Sequence, residues 1–329
     1  MSRAAAAAIA RLDLWRYRVP LQGTAPVAER HGALLEWRSA DGQTVWSEIS
    51  PLPGFSAESL DDCLAACRAL MASAPGAHDP ALVDTLPPAA RFGIESGWLQ
   101  LTEAPQAPPQ LEPCRLLAAG PAGSPTQVSS KGCLKLKIGG AALEDEIERI
   151  RKLCAELPRS VRLRLDANRS YSPEQAAELC AAIDPERIEF LEEPLHAGAS
   201  YADWTHYSAV PFAWDETLRE HPEADLQTPG LAAVVLKPML TGLNRTAAWH
   251  TAAQRAGCRT VLSGAFESNL SLDFYARLIQ DWGLTGYHHG LDTFSAWPVA
   301  LLEPLQSQAG HAEKPTMGRD ELEHLERLL

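Results

Sequence analysis

Between Cys133 and Pro238 five short apolar runs each carry charge at or near their ends: Leu134-Lys135-Leu136-Lys137-Ile138, Leu163-Arg164-Leu165-Asp166, Phe190-Leu191-Glu192-Glu193-Pro194, Phe212-Ala213-Trp214-Asp215-Glu216 and Val234-Val235-Leu236-Lys237-Pro238. Their length and period-two pattern predict strands. Alternation puts Lys135 and Lys137 on one face with Leu134, Leu136 and Ile138 on the other, and sets Arg162, Arg164 and Asp166 against Val161, Leu163 and Leu165. Helical patterns fill the gaps. Leu143, Ile147, Ile150, Cys154 and Leu157 make one apolar stripe, Ser172-Pro173-Glu174-Gln175 reads as a capping box, and the segment Thr246 to Gln254 stops at Gly257. Lys137, Asp166, Glu192, Asp215, Lys237, Ser263 and Asp292 recur every 22 to 29 residues. That spacing is one strand, loop and helix, and right-handed βα repetition predicts an α/β fold with a parallel barrel.

The first third reads differently. From Leu12 to Ser50 alternation such as Leu34-Leu35-Glu36-Trp37 and a turn at Asp41-Gly42 predict a small antiparallel sheet. Ser50-Pro51-Leu52-Pro53-Gly54-Phe55-Ser56 is a conformationally limited loop, expected to form a wall over the barrel mouth. Ser56 is expected to cap a helix running to Met71, with Leu60, Leu64, Cys67 and Leu70 on one face. A second helix is expected around Ala89 to Leu101, and proline-rich stretches from Ala74 to Pro88 and Pro105 to Pro113 mark joins. Asp320 to Leu329 read as a charged terminal helix.

Composition narrows the partners. The 329 residues suffice for two domains, and 46% hydrophobic with 22% charged residues are globular values. A formal charge of −13 argues against nucleic acid or anionic membrane as a partner, so an anionic small-molecule substrate must be met by local positive charge. The seven cysteines include no CxxC pair. Cys63 and Cys67 read as buried packing, and the odd count suits a reducing cytoplasm. The Ala4 to Ala10 run behind Arg3 is too short and weakly apolar for a secretory leader, and no stretch is long enough to span a bilayer. His288-His289 reads as loop surface.

Asp166, Glu192 and Asp215 end successive strands, so they should meet around the barrel mouth. Carboxylates that close repel unless protonated or bound to a cation. All-oxygen donors favour magnesium or manganese over zinc. One such aspartate would be a cap or a surface group; three in consecutive units, followed by Lys237, argue for a metal site. An isolated KxK would be an edge strand with two solvated lysines. Here the pair lies beside the expected cation, and their mutual repulsion is expected to lower at least one lysine pKa toward neutrality, as a general base requires. Three carboxylate strands separate Lys137 from Lys237, which would put one lysine on each face of a flat bound substrate. That suits proton abstraction alpha to a carboxylate.

As a set, these motifs resemble the muconate-lactonizing subgroup of the enolase superfamily, and within it the o-succinylbenzoate synthase family, over nearly the whole chain. The resemblance rests on Lys135 to Lys137, Asp166-Ala167-Asn168, Glu192-Glu193-Pro194, Asp215-Glu216 and Lys237-Pro238. Glu48 to Ser56 and Gly290-Leu291-Asp292-Thr293 resemble the synthase in particular. It implies a modified TIM barrel, (β/α)7β, over residues 105–305, under an N-terminal α+β capping domain of residues 1–104 completed by the tail 306–329. It also implies magnesium-dependent dehydration of 2-succinyl-6-hydroxy-2,4-cyclohexadiene-1-carboxylate in menaquinone biosynthesis, with manganese able to substitute. Lys137 would be the base, Lys237 the cation on the opposite face and Lys135 a tuning group. Asp166, Glu192 and Asp215 would hold the metal. Arg164, Asn168, Ser263, Gly264 and Gly290 would lie near substrate, Gly290 leaving room for the ring and offering its backbone N–H to the succinyl carboxylate. The segment Ser263-Gly264-Ala265-Phe266-Glu267-Ser268 departs from the run of serines common in relatives. The implied enzyme is cytoplasmic, a monomer or small homo-oligomer.

The rivals are an N-acylamino acid racemase or a dipeptide epimerase on the same barrel, and, from another class, a catalytically dead barrel used as a scaffold. Dipeptide epimerases carry a DxD pair on the eighth strand; here Gly290 replaces the first aspartate and only Asp292 remains. The intact set of lysines and carboxylates argues against a dead barrel.

Overall fold

A computed structural model describes residues 9–23, 25–73, 79–103, 106–117, 132–308 and 313–329. The Ala4 to Ala10 run lies outside these except for Ile9 and Ala10, which begin the first strand. The proline-rich joins fall partly outside them as well.

Strands β1 (Ile9–Pro20), β2 (Glu29–Ser39) and β3 (Thr44–Ile49) form the predicted antiparallel sheet. Helices α1 (Leu60–Ser73), α2 (Pro80–Val83) and α3 (Pro88–Thr102) follow. Helix α1 starts later than Ser56. The Ser56 hydroxyl accepts from the Leu52 N–H and tightens the loop, and it is Ser59 that exchanges hydrogen bonds with Asp62 at the helix start. Cys63 and Cys67 are fully buried, as expected.

Seven parallel strands then curl in sequence order: β4 (Arg115–Leu117), β5 (Gly132–Lys137), β6 (Val161–Asp166), β7 (Ile188–Glu192), β8 (Phe212–Trp214), β9 (Leu231–Leu236) and β10 (Arg259–Leu262). Between them run α4 (Leu143–Glu156), α5 (Pro173–Ala182), α6 (Trp204–Tyr207), α7 (Glu216–Glu220), α8 (Pro238–Thr241) and α9 (Leu243–Ala256); α10 (Asn269–Asp281) follows β10. Ser172 caps α5 in a full capping box, and α9 ends at Gly257 in the left-handed conformation, both as predicted.

The ring is closed by a short segment in place of a full eighth strand. Gly290 donates to the Leu262 carbonyl and accepts from Gly264, while the Cys114 N–H reaches the His289 carbonyl on the other side. His289 is therefore buried in the closure, with Nδ1 accepting from Leu262 N–H, and is not loop surface. Phe190, Ala213, Ala233, Val235 and Val261 form a small cluster of their own inside the barrel.

Strands β11 (Ala300–Leu301) and β12 (Thr316–Met317) pair with each other. The tail is a strand, β13 (Glu323–Arg327), not a helix; it joins β1, pairing Asp13 with Arg327 and Trp15 with His324. The buried Asp13 carboxylate there gathers Arg11 and His324, a partnership open only to an extended tail. The order β13-β1-β2-β3 thus binds the C-terminus into the N-terminal sheet.

Candidate active site

In-register pairing sets the site. Lys137 pairs with Asp166 and Asp166 with Glu192 across β5, β6 and β7, so the three stand level at the C-terminal rim of the barrel. The opposite faces of these strands are filled by Leu134, Leu136, Leu163 and Leu165, all buried against the helices. Asp215 follows β8 directly, and Lys237 follows β9 at the start of α8.

One layer down, Lys135 Nζ lies 2.9 and 2.8 Å from the two Glu192 oxygens and 2.9 Å from Asp166. Lys237 Nζ makes a short contact with Asp215 Oδ2. Burial raises the Glu192 carboxyl, and crowding by Asp166 and Asp215 adds to it; Lys135 only partly offsets this, and the group sits at about 7. Asp166 is also penalised by burial but is held below its ordinary value, chiefly by Lys135. Lys135, one of the two lysines of which at least one was expected to be lowered, goes the other way, and Lys237 goes with it. Burial lowers Lys135 and Lys237, yet the adjoining carboxylates outweigh it and hold both above the usual lysine value. Lys137 is exposed, and among the described residues it has no ion pair or hydrogen bond.

The donor set fits a hard divalent cation. Asp215 Oδ1 is buried without a hydrogen-bond partner, as are Asn168 Oδ1 and Glu216 Oε2 beside it. Arg219 Nε, at 3.7 Å, is too distant to satisfy Asp215 Oδ1. Among the described residues no three acidic, histidine or cysteine side chains enclose a common point as they stand; Lys135 bridges Asp166 and Glu192, and Lys237 takes Asp215.

Glu193 was not singled out from the sequence. Its backbone is left-handed at φ 42°, which turns its fully buried side chain under Asp215. There it accepts from Asp215 N–H and Thr217 N–H, both at 2.7 Å, from the Thr217 hydroxyl and from Arg169. Glu-Glu-Pro was visible as a motif; what the second glutamate grips lies 22 residues on.

The remaining candidates are placed unevenly. Arg164 pairs with Lys135 in register, stacks 4.9 Å over Phe190 and is engaged by Glu189 and the His288 carbonyl. Asn168, also left-handed, hangs beside Glu216. Ser263 and Gly264 meet Gly290 at the closure. The reading of Gly290 as open space is overturned: its N–H is taken by Leu262, and a Cβ there would come within 2.6 Å of Ser263 Oγ. Glycine is required by the close approach to β10. Asp292 turns away and accepts from the Leu116 N–H at 3.0 Å. The cap loop reaches this rim. The Phe55 carbonyl accepts from Arg219, and Leu52 clusters with Leu240 and Ala265, with Val27 and Phe266 packed alongside.

Residues 128–317 match the family described as Enolase C-terminal domain-like, and residues 9–101 match MenC, N-terminal domain. The o-succinylbenzoate synthase of Klebsiella pneumoniae (strain 342) is 32% identical over 312 residues, covering 89% of this chain and 93% of that protein. The chain belongs to the o-succinylbenzoate synthase family of the enolase superfamily. A solved o-succinylbenzoate synthase from Thermosynechococcus elongatus, complexed with Mg in the active site, superposes with TM-score 0.70 at 26% identity, covering 88% of this chain and 95% of that one. The L-Ala-D/L-Glu epimerase of Bacillus subtilis shares the fold at TM-score 0.76 and 20% identity, covering 94% and 98% of the two chains. The synthase family thus combines the barrel with a cap of the kind built here by β1–β3 and β13.

Proposed function

We propose that the chain is a magnesium-dependent o-succinylbenzoate synthase, converting 2-succinyl-6-hydroxy-2,4-cyclohexadiene-1-carboxylate to 2-succinylbenzoate and water in menaquinone biosynthesis. One observation carries the reading: Lys137 stands open and, among the described residues, unpaired, level with Asp166 and Glu192, while Lys237 waits beyond three carboxylate-bearing strands. Asp166, Glu192 and Asp215 would hold Mg2+, with Mn2+ able to substitute. The ion supplies positive charge where the substrate carboxylate gains negative charge as its alpha proton leaves.

Lys137 Nζ takes that proton. As an ammonium it then returns the proton to the departing hydroxyl, which leaves as water, so one group serves both halves of the elimination. Lys237 stays cationic on the opposite face and offsets charge delocalised into the ring. Lys135 ties Glu192 to Asp166 and sets their spacing. Arg164 and Asn168 would flank the lysine pair from the neighbouring strand and its loop, and Ser263, Gly264 and Gly290 would line the closure of the ring, the two glycines by allowing close backbone approach. The cap loop from Leu52 to Ser56 forms the wall over the ring.

Dipeptide epimerization is disfavoured because Asp292, the one remaining acid of that pair, is committed to Leu116. The same reading places the domain division at residues 1–104 with 306–329 against 105–305. It takes the enzyme as cytoplasmic and as a monomer or small homo-oligomer. Among the described residues no helix is long and apolar enough to cross a membrane.

Lys137→Ala tests the assignment. It should lower o-succinylbenzoate formation at least ~100-fold while magnesium binding persists. Turnover within a few fold of wild type would remove Lys137 from the mechanism.

A further inference from the structure

Along the sequence the seven cysteines stand singly with no CxxC pair, but the fold brings two of them together. Arg115 pairs with Leu134 across β4 and β5, so Cys114 and Cys133, each one residue earlier, face each other at the base of the barrel. Their sulfurs are 3.0 Å apart, and both residues are buried. Neighbouring strands lie about 4.8 Å apart, within the ~4.4–6.8 Å span of Cα atoms that a disulfide bridges.

The surroundings favour chemistry at this pair. Cys133 also lies 3.4 Å from Glu189 Oε2, which Arg164 holds at 2.8 Å. Burial raises the Cys114 thiol, but the hydrogen bond with Cys133 and the charges of Arg164 and Lys135 outweigh it and bring it below the ordinary thiol value. Burial raises the other five, Cys63 and Cys67 to about 12 and Cys180 to about 11. A cavity of ≈ 650 Å³ opens at the N-terminal end of the strands, lined by Cys133 with Arg162, Glu189, Arg259 and His288. It brings a small oxidant to the Cys133 side of the pair, whose sulfur is 3.0 Å from that of Cys114.

We propose that Cys114 and Cys133 form a reversible dithiol–disulfide couple at the base of the barrel, closed by hydrogen peroxide and opened by a small thiol. The Cys114 thiolate attacks one peroxide oxygen, the O–O bond breaks and hydroxide leaves, giving a sulfenic acid. Cys133 passes its proton to Glu189 and attacks that sulfur, and the second oxygen departs as water. Glu189 returns its proton to the departing second oxygen, the proton released when Cys114 ionised neutralises the hydroxide, and so two thiols lose two electrons as one peroxide becomes two waters. Closing the sulfurs from 3.0 Å to the ~2.05 Å of a disulfide draws Cys133 toward β4, and because Cys133 shares its face of β5 with Lys135 and Lys137 the shift carries both lysines relative to the carboxylate layer. The effect on turnover, though not the cross-link, rests on the proposed dehydration.

The test is peroxide titration of the full chain, alkylation of remaining thiols and a non-reducing peptide map, with turnover followed on the same samples. A peptide linking Cys114 to Cys133 should appear first and vanish with dithiothreitol. Turnover should fall about tenfold or more in step with it and recover. Cys114→Ser and Cys133→Ser should keep basal turnover and lose the response. Unlinked peptides carrying only sulfinic or sulfonic acid would overturn the couple, whatever the chain's activity. Fully cross-linked protein turning over at the untreated rate would overturn its control of the site.

Discussion

At His289 barrel closure and protonation compete. Nδ1 accepts from the Leu262 N–H at 3.0 Å and Nε2 donates to the Leu284 carbonyl at 3.1 Å, a pattern that only the neutral ring supports. Burial, reinforced by the charges of Arg164 and His288, lowers its pKa to about 4. The unfolded chain binds this proton near pH 6.5. The stability held by the neutral ring is therefore complete above pH 6.5 and drains as pH falls toward 4, by about 3 kcal/mol. Urea unfolding of wild type and His289→Gln should show their stability gap narrowing by that amount between pH 7 and pH 4; a constant gap would contradict it. The sequence gives no cue to this burial, since His288-His289 lies among glycines and polar residues and only the long-range bonds to β10 and β4 take it inside. The same holds for the lysines. Their side of the strand was legible from alternation, but which of them is paired depends on reach: Lys135 is set back under Glu192 and Asp166, whereas Lys137 is at the rim.

At the scale of elements, the positions of the metal candidates were legible because each stands at or directly after the end of a short apolar run. The residues that orient them were not. Glu193 acts on Asp215 across one full βα unit, through two backbone N–H groups and the Thr217 hydroxyl. Glu193→Gln keeps every ligand but loses one carboxylate oxygen as an acceptor. Magnesium affinity measured by calorimetry should fall roughly 10- to 100-fold, with the fold intact by circular dichroism. Unchanged affinity would show that Asp215 is held by its strand alone. The tail teaches a related lesson. Glu323 to Arg327 has helix-forming composition, yet pairing with β1 and the cluster at Asp13 decide its conformation. Local propensity is outweighed wherever an edge strand offers a full ladder.

The whole molecule is held together by buried polar clamps between cap and barrel. Arg30, fully buried on β2, donates to the Ser50 and Pro51 carbonyls of the cap loop and to Ala265 and Phe266 after β10. Glu48 accepts from Tyr17, Ser268 and Ser271, and Glu95 accepts from the first N–H groups of α9. Removing Arg30 leaves four carbonyls short of a donor. Arg30→Met should cost about 3 kcal/mol or more in urea unfolding, with Arg30→Lys intermediate; a loss under 1 kcal/mol would mean that the cap rests on apolar contact alone. A sequence reading could propose two domains and a wall over the mouth, but not the guanidinium that joins them, because Arg30 in a strand pattern looks like any exposed charge. Joined in this way, the cap loop stands at the rim that carries the lysines and carboxylates, and the chemistry proposed for that rim can be tested directly. The purified chain should convert 2-succinyl-6-hydroxy-2,4-cyclohexadiene-1-carboxylate to 2-succinylbenzoate with magnesium, stop on addition of EDTA and resume when magnesium is restored. Negligible product under all three conditions, alongside rapid alpha-deuteration of dipeptides in heavy water, would contradict the account.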